Sequence, residues 1–174
     1  ERRQLTLEIY ERARQLAVET LDAAPLIFAA APDFPAGVVG LVASRLAEEF
    51  YCPAVVVEVG AKYSRGSARS IPEFHITHAL DACADLLVRH GGHAAAAGFT
   101  VANEHLDALA TRLRQLAAER LSGVERVPVL SVDAEIELFQ ISGELLQHLG
   151  RLEPCGYANP HPCLLYTSPS PRDS

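Results

Sequence analysis

The chain of 174 residues has no methionine, and aromatic residues make up only 6% of it. Because it lacks an initiator and begins at Glu1 inside a helical pattern, it is expected to be an internal piece of a longer protein. With so few rings, packing must rest on Leu, Val and Ala, and an apolar content of 49% is enough for a sizeable core. No apolar run approaches the roughly 20 residues that a membrane helix needs. No signal peptide is visible either, so no membrane partner is expected. Four cysteines (Cys52, Cys83, Cys155 and Cys163) show no close pairing. That argues against a disulfide framework and for a reducing, cytoplasmic setting. A Gly-x-Ser-x-Gly elbow, a Walker A loop and a dinucleotide fingerprint are all missing. Carboxylates are plentiful, but their spacing is that of solvated helix faces, and no full catalytic centre is expected within these residues. Residues 163–174 resemble the translation of a sequencing-library adapter and are expected to be a non-native tail.

A net charge of −7 disfavours a protein that coats nucleic acid through bulk attraction. The charge is uneven, however. From Ala61 to His93, four cations (Lys62, Arg65, Arg69 and Arg89) stand against three acids (Glu73, Asp81 and Asp85). This local balance of +1 leaves −8 on the rest of the chain, and the same window holds four of the seven histidines. A locally basic site on an acidic protein can bind phosphates while the surrounding charge discourages non-specific association.

Periodicity predicts an amphipathic helix over 4–21, with Leu5, Ile9, Leu16 and Leu21 near helical spacing. Leu26 to Ala30 reads as a short buried strand between prolines. Gly37 to Phe50 reads as a helix with Val38, Leu41, Val42, Leu46 and Phe50 on one face. Ala54 to Val59 is the clearest strand, and Tyr63 to Ser70 can return beside it as an antiparallel neighbour. Ile76, Leu80, Cys83 and Leu87 fall at i, i+4, i+7 and i+11, which predicts a helix that ends at the double glycine, with His90 in its last turn. Ala95 to Val101 suits a strand, and Asn103 suits the N-cap of a helix carrying Leu106, Leu109, Leu113 and Leu116. The alternation indicates an α/β domain over 25–122, with a mixed sheet and helices on its faces, preceded by a connecting helix. After Ser122-Gly123, Val129 to Leu138 alternates like a half-exposed strand. Ile141 to Leu149 looks helical, and Leu152 to Pro160 is turn-rich.

Gly91-Gly92-His93, followed by four alanines, is the most informative segment. Alone it reads as a helix terminus, with glycine at the cap and cations in the last turn. A second motif, Gly66-Ser67-Ala68-Arg69-Ser70, changes that reading. Strand alternation puts Ser67 and Arg69 on one face, where hydroxyl and guanidinium can fork around phosphate oxygens. Near it, His93 can donate a ring N–H to an anion. His75-x-x-His78 and His90-x-x-His93 have the spacing of metal-ligand pairs. Neither is completed by a cysteine or acid, so no metal is expected on these residues. Cys83 occupies an apolar helical position and is expected to be core rather than nucleophile.

Four segments occur in order: Gly37 to Leu46 (GVVGLVASRL), Gly66 to Ser70, Gly91-Gly92-His93 with Ala96-Ala97-Gly98, and Leu152-Glu153-Pro154 with Asn159-Pro160. Together they resemble the RecJ family, the single-stranded-DNA-specific exonucleases of the DHH phosphoesterase superfamily, over nearly all of residues 1–162. The resemblance implies that residues 1–24 leave a DHH domain missing from this chain. It makes 25–122 the DHH-associated substrate-binding domain and 128–162 the truncated start of an OB-type domain. The implied activity is 5′-to-3′ hydrolysis of single-stranded DNA in repair and recombination, by a cytoplasmic monomer. Mn²⁺ or Mg²⁺, bound by the missing domain, would activate the water. Ser67, Arg69, Ser70, Gly91 and Gly92 would bind substrate, with Arg69 clamping phosphate. His93 would contact a phosphate oxygen near the metals and support the developing charge. Pro35, where the family usually has histidine, and Ala158, where it has glycine, depart from its pattern. Two alternatives are a DHH phosphodiesterase for oligoribonucleotides or cyclic dinucleotides, and a non-catalytic RNA-binding module like that of alanyl-tRNA synthetase. The continuation through Asn159-Pro160 counts against the former, and a DHH motif upstream would count against the latter.

Overall fold

The computed structural model describes residues 2–21, 25–130, 132–156 and 159–163. The chain divides into two compact units, Glu1–Pro128 and Val129–Ser174.

The valine run forms β2 (Ala54–Glu58), whose first four residues are all buried. A strand that reads as continuously apolar needs cover on both faces, and it receives it. β1 (Ile27–Ala31) pairs with β2 in parallel, and β3 (Tyr63–Arg69) pairs with β2 antiparallel. β5 (Ala96–Ala102) and then β4 (Leu87–Gly92) complete a sheet of order β1-β2-β3-β5-β4. This is the mixed α/β sheet that the alternating pattern predicts.

One face carries Phe28, Val55, Val57, Ala68, Phe99 and Val101. It is covered by α3 (Ile76–Asp81) and by α4 (Leu106–Leu121) through Leu109, Leu113 and Ala117. The opposite face carries Ile27, Ala29, Ala54 and Val56. Here α2 (Ala36–Phe50) packs with Val38, Val42, Ala43 and Leu46, and α1 (Arg2–Leu21) packs with Ile9, Ala13 and Ala17. In α1 the buried stripe consists mainly of small side chains, while the expected Leu5 is 39% exposed; in α2, Leu41 is 50% exposed. Arg14 Nε donates to Glu49 Oε1 at 2.7 Å, which ties α1 to α2. The helices on this second face lie over β1, β2 and β3, while Gly98 of β5 and Arg89 and Gly91 of β4 are exposed.

Three expectations need correction. The helix predicted from Ile76 to the glycine pair ends at Asp81; a 3₁₀ turn (Ala84–Leu86) follows, and Leu87 to Gly92 is the edge strand β4. His90 is therefore a strand residue, and its Nε2 lies 2.8 Å from Asp81 Oδ1. Cys83 and Leu87 are apolar because they pack under the sheet, not because they share a helix with Ile76. Asn103 does not cap α4. It opens a 3₁₀ turn, accepts from Ser64 Oγ at 2.7 Å and donates to Gly60 O at 2.8 Å, so it fastens the β2–β3 turn instead.

In the second unit, Val129–Leu138 forms no strand among the described residues. Val129, Leu130 and Val132 are 61–87% exposed, and no partner strand satisfies them. The predicted helix appears as α5 (Gly143–Gly150), capped by Ser142 Oγ accepting from Leu145 N. Ala158 and residues 164–174 lie outside the described residues.

Candidate nucleic-acid interface

Residues of β3 alternate strictly. Ser64 and Ala68 are fully buried, and Gly66 is covered on the same face; Tyr63, Arg65, Ser67 and Arg69 point to the other. The two predicted phosphate ligands thus share the half-covered face. Arg69 Nη1 donates to Ser67 Oγ at 3.1 Å and to Ala68 O at 2.9 Å, which holds the guanidinium beside the hydroxyl. α2 makes room for this pair at Gly40, where an added Cβ would lie 3.3 Å from both Arg69 Nη2 and Ser67 Oγ. Among the described residues, no carboxylate forms an ion pair with Arg69.

The Gly-Gly-His segment reaches the same end of the sheet as a tight hairpin. His93 N donates to Ala96 O at 2.7 Å and Ala96 N to His93 O at 3.3 Å, so these two residues oppose each other and Ala94-Ala95 forms the turn. Ala96 is also the register partner of Arg69. Residues that face one another across antiparallel strands project to one side. Arg69, Ala96 and His93 therefore form one row. Three successive carbonyls fix the hairpin tip: Thr77 Oγ1 donates to His93 O at 2.7 Å, Ile76 N to Ala94 O at 3.0 Å and Ser70 N to Ala95 O at 2.9 Å. Gly92 has φ +155, and a Cβ there would lie 2.5 Å from Ala97 Cα. The turn into the histidine therefore needs glycine. A Cβ on Gly91 would meet nothing within 4 Å. Ser70 is committed elsewhere, its hydroxyl donating to Phe74 O at 2.6 Å.

The face also holds cations that the motif reading passed over. Arg65 and Arg89 both have Thr100 as register partner, and Arg89 Nε donates to Thr100 Oγ1 at 3.2 Å. The signal was present as the +1 window of the sequence, but reading β4 as a helix hid its side-chain direction.

Other chemistry finds little support. His75 and His78 stack with ring centroids 3.6 Å apart, and His75 Nδ1 accepts from His78 N, which caps α3. Among the described residues, no group of three or more His, Cys, Asp or Glu converges to hold a metal. These residues do not fit a metal centre. Cys83 is fully buried and burial raises its pKa; Cys52 is likewise buried, with its thiol pushed up to about 11. Neither is an activated nucleophile. No helix among the described residues is long and apolar enough to cross a membrane.

Comparisons with known proteins bear on this geometry. The RecJ single-stranded-DNA-specific exonuclease of Bacillus subtilis is 34% identical over 168 residues, 95% of this chain and 21% of the relative. A crystal structure of RecJ with Mg²⁺ from Thermus thermophilus matches with a TM-score of 0.73 at 31% identity, covering 92% of this chain and 24% of that one. The Mn²⁺ complex from the same organism gives a TM-score of 0.72 at 31% identity, over 92% and 23%. The chain spans about a fifth of the length of the curated relatives it matches. A family model described as the DHHA1 domain matches residues 23–119, the stretch that contains the whole sheet and its site. This chain belongs to the DHHA1 domain family.

Proposed function

We propose that this chain is the nucleic-acid-gripping part of a RecJ-like 5′-to-3′ exonuclease of single-stranded DNA, working in repair and recombination. Residues 25–122 act as the substrate-binding domain, and 128–162 begin an OB-type domain. A DHH domain elsewhere in the longer protein holds Mn²⁺ or Mg²⁺, whose chemistry is to activate water for attack on the phosphodiester. The protein works as a cytoplasmic monomer. The observation that carries this reading is the single row of Arg69, Ala96 and His93, with Ser67 bonded to a guanidinium that no carboxylate pairs among the described residues.

In this reading Arg69 and Ser67 clamp a phosphate, and Gly91 and Gly92 let the strand pass close to the hairpin. Ser70 holds the loop from which the clamp projects. His93 donates to a phosphate oxygen, neutralising charge as the bond breaks. The activity for which the relatives are named and the metals in their crystal structures support the same division of labour.

Direct binding tests it. The chain should bind 5′-phosphorylated oligothymidylate and leave it intact when Mn²⁺ is added; robust cleavage would overturn the assignment of the metals to another domain. Arg69→Ala should weaken binding and reduce the slope of log K against log salt by about 0.7, the value for one phosphate on a single strand. An unchanged slope removes the clamp. In the metal-dependent longer enzyme, His93→Ala should lower turnover by about tenfold or more while the metal content stays constant. Unaltered turnover would leave His93 as a hairpin residue only.

A further inference from the structure

The face that carries Ser67 and Arg69 continues beyond them. Successive rows across β3, β5 and β4 are Arg69–Ala96–His93, then Ser67–Gly98–Gly91, then Arg65–Thr100–Arg89. Two rows with cations therefore flank a middle row that has no side chain larger than serine. α2 covers this face as far as Ser67 and Arg69 of β3, while Arg65, Arg89, Gly91 and Gly98 are exposed, so the trough is open over β5 and β4. Tyr63, next along β3, is 48% exposed at its far end, with Lys62 Nζ 5.5 Å from its ring centre.

Arg89 joins this face through an irregularity. Leu87 pairs with Val101 and Arg89 with Thr100, so Val88 is an extra residue, a β-bulge. Strict alternation from the inward-packed Leu87 would have turned Arg89 inward; the bulge turns it outward beside Arg65. Bulges re-aim side chains in this way and are over-represented next to functional sites. Among the described residues, neither Arg65 nor Arg89 forms an ion pair. Glu58 is the register partner of Arg65 and is the one carboxylate in that row. With Lys62 at its end, the local balance is still positive, which suits an anionic occupant.

We propose that this trough is a track for single-stranded DNA. The Arg65–Thr100–Arg89 row holds a phosphate two nucleotides from the one at Arg69, and Tyr63 offers its ring to a base beyond. The match in spacing is chemical. A nucleotide's backbone repeat contains as many bonds as two amino-acid residues, so an extended strand advances one phosphate for each i, i+2 step of β3. Rows lie about 6.7 Å apart along a strand. Small residues in the middle row let the sugar-phosphate chain lie close to the sheet. A guanidinium can take two phosphate oxygens at once, and Thr100 already orients that of Arg89. Bases of any identity can stack on an exposed tyrosine.

The track rests on the reading of Ser67 and Arg69 as a phosphate clamp, and the experiment separates the two. The chain is titrated with a fluorescent 5′-phosphorylated thymidine dinucleotide and with a hexanucleotide, at several salt concentrations. Arg65→Ala with Arg89→Ala should leave dinucleotide affinity unchanged. It should weaken the hexanucleotide by about tenfold or more and reduce the magnitude of its salt slope by about 0.7, the value for the one phosphate that row holds. Tyr63→Ala should cost the hexanucleotide about fivefold or more, and Tyr63→Phe should keep it. Wild-type hexanucleotide affinity and slope in the double variant overturn the track. Loss of dinucleotide binding in that variant also overturns it, because the two positions would not be separate. If the dinucleotide fails to bind the unaltered chain while the hexanucleotide binds through Arg65 and Arg89, the clamp falls and the track stands. Failure of both ligands overturns both. Arg65, Arg89 and Tyr63 are outward-facing, and thermal unfolding of each variant verifies that the fold is intact.

Discussion

Gly92→Ala is expected to lower the unfolding temperature by about 10 °C and to abolish binding at the Arg69–His93 end of the sheet. Alanine at φ +155 is strained, at a cost of about 1–3 kcal/mol. Its methyl would also press on Ala97 Cα at 2.5 Å and closer still on Ala96 O. Both are backbone atoms of the paired strand and cannot rotate aside. Displacing them adds a further cost of about 1–3 kcal/mol. A total near 3 kcal/mol corresponds to the stated temperature shift for a unit of this size, at roughly 3–4 °C per kcal/mol. The hairpin opens first, and with it the row that aligns His93 with Arg69. Gly91→Ala is the control. Its methyl meets nothing within 4 Å, so its midpoint should change by about 2 °C or less. Equal midpoints for the two variants, read by calorimetry, would refute the hairpin geometry.

The second large effect lies on the buried side of the same strands. A Cβ on Gly66 would sit 2.7 Å from Phe99 Cε2 and nearer still to Cε1 and Cζ, because the tip of the phenyl ring reaches over the glycine. Phe99 is 5% exposed and belongs to the main core. Gly66→Ala must push the ring out or lift β3, at a cost of about 1–3 kcal/mol. Phe99→Ala leaves a cavity and should cost about 3–5 kcal/mol. Combining Gly66→Ala with Phe99→Leu should be milder than the sum of the single changes, since the smaller side chain concedes the space the methyl needs. Denaturant midpoints test this, and strict additivity would show that the two residues do not compete for one volume. The consequence reaches the opposite face: Gly66 lies between Arg65 and Ser67, so lifting β3 moves the Ser67 and Arg69 side chains as well.

Much of this was legible in the sequence because one-sided burial leaves a clear period. The buried valines of β2, the 3.6-residue rhythm of α2 apart from the exposed Leu41, and the alternation that pairs Ser67 with Arg69 appear where the pattern puts them. β4 was not legible. It is an edge strand on which no residue is fully buried, so it has no apolar alternation to read. The apolar positions before it happened to imitate a helix. A charge such as that of Arg89 protects an edge from unwanted pairing and also erases its signature. Asn103 misled for another reason. An asparagine before a helical run usually caps it, but here tertiary contacts with Ser64 and Gly60 claimed both ends of its amide. The role of Arg65 and Arg89 was hidden with β4, since their common face depends on a pairing irregularity that no periodicity announces.

That irregularity has one more implication. Which chemistry an edge strand offers to each side is a matter of parity, odd against even, more than of composition. With Val88 as the odd residue, a cation leaves the interior and an imidazole takes the inward slot beside Asp81. With Val88 paired in regular alternation instead, the same letters would exchange those roles. Forming or losing that bulge is therefore a route by which related chains could gain or lose a positive rim without altering any side chain.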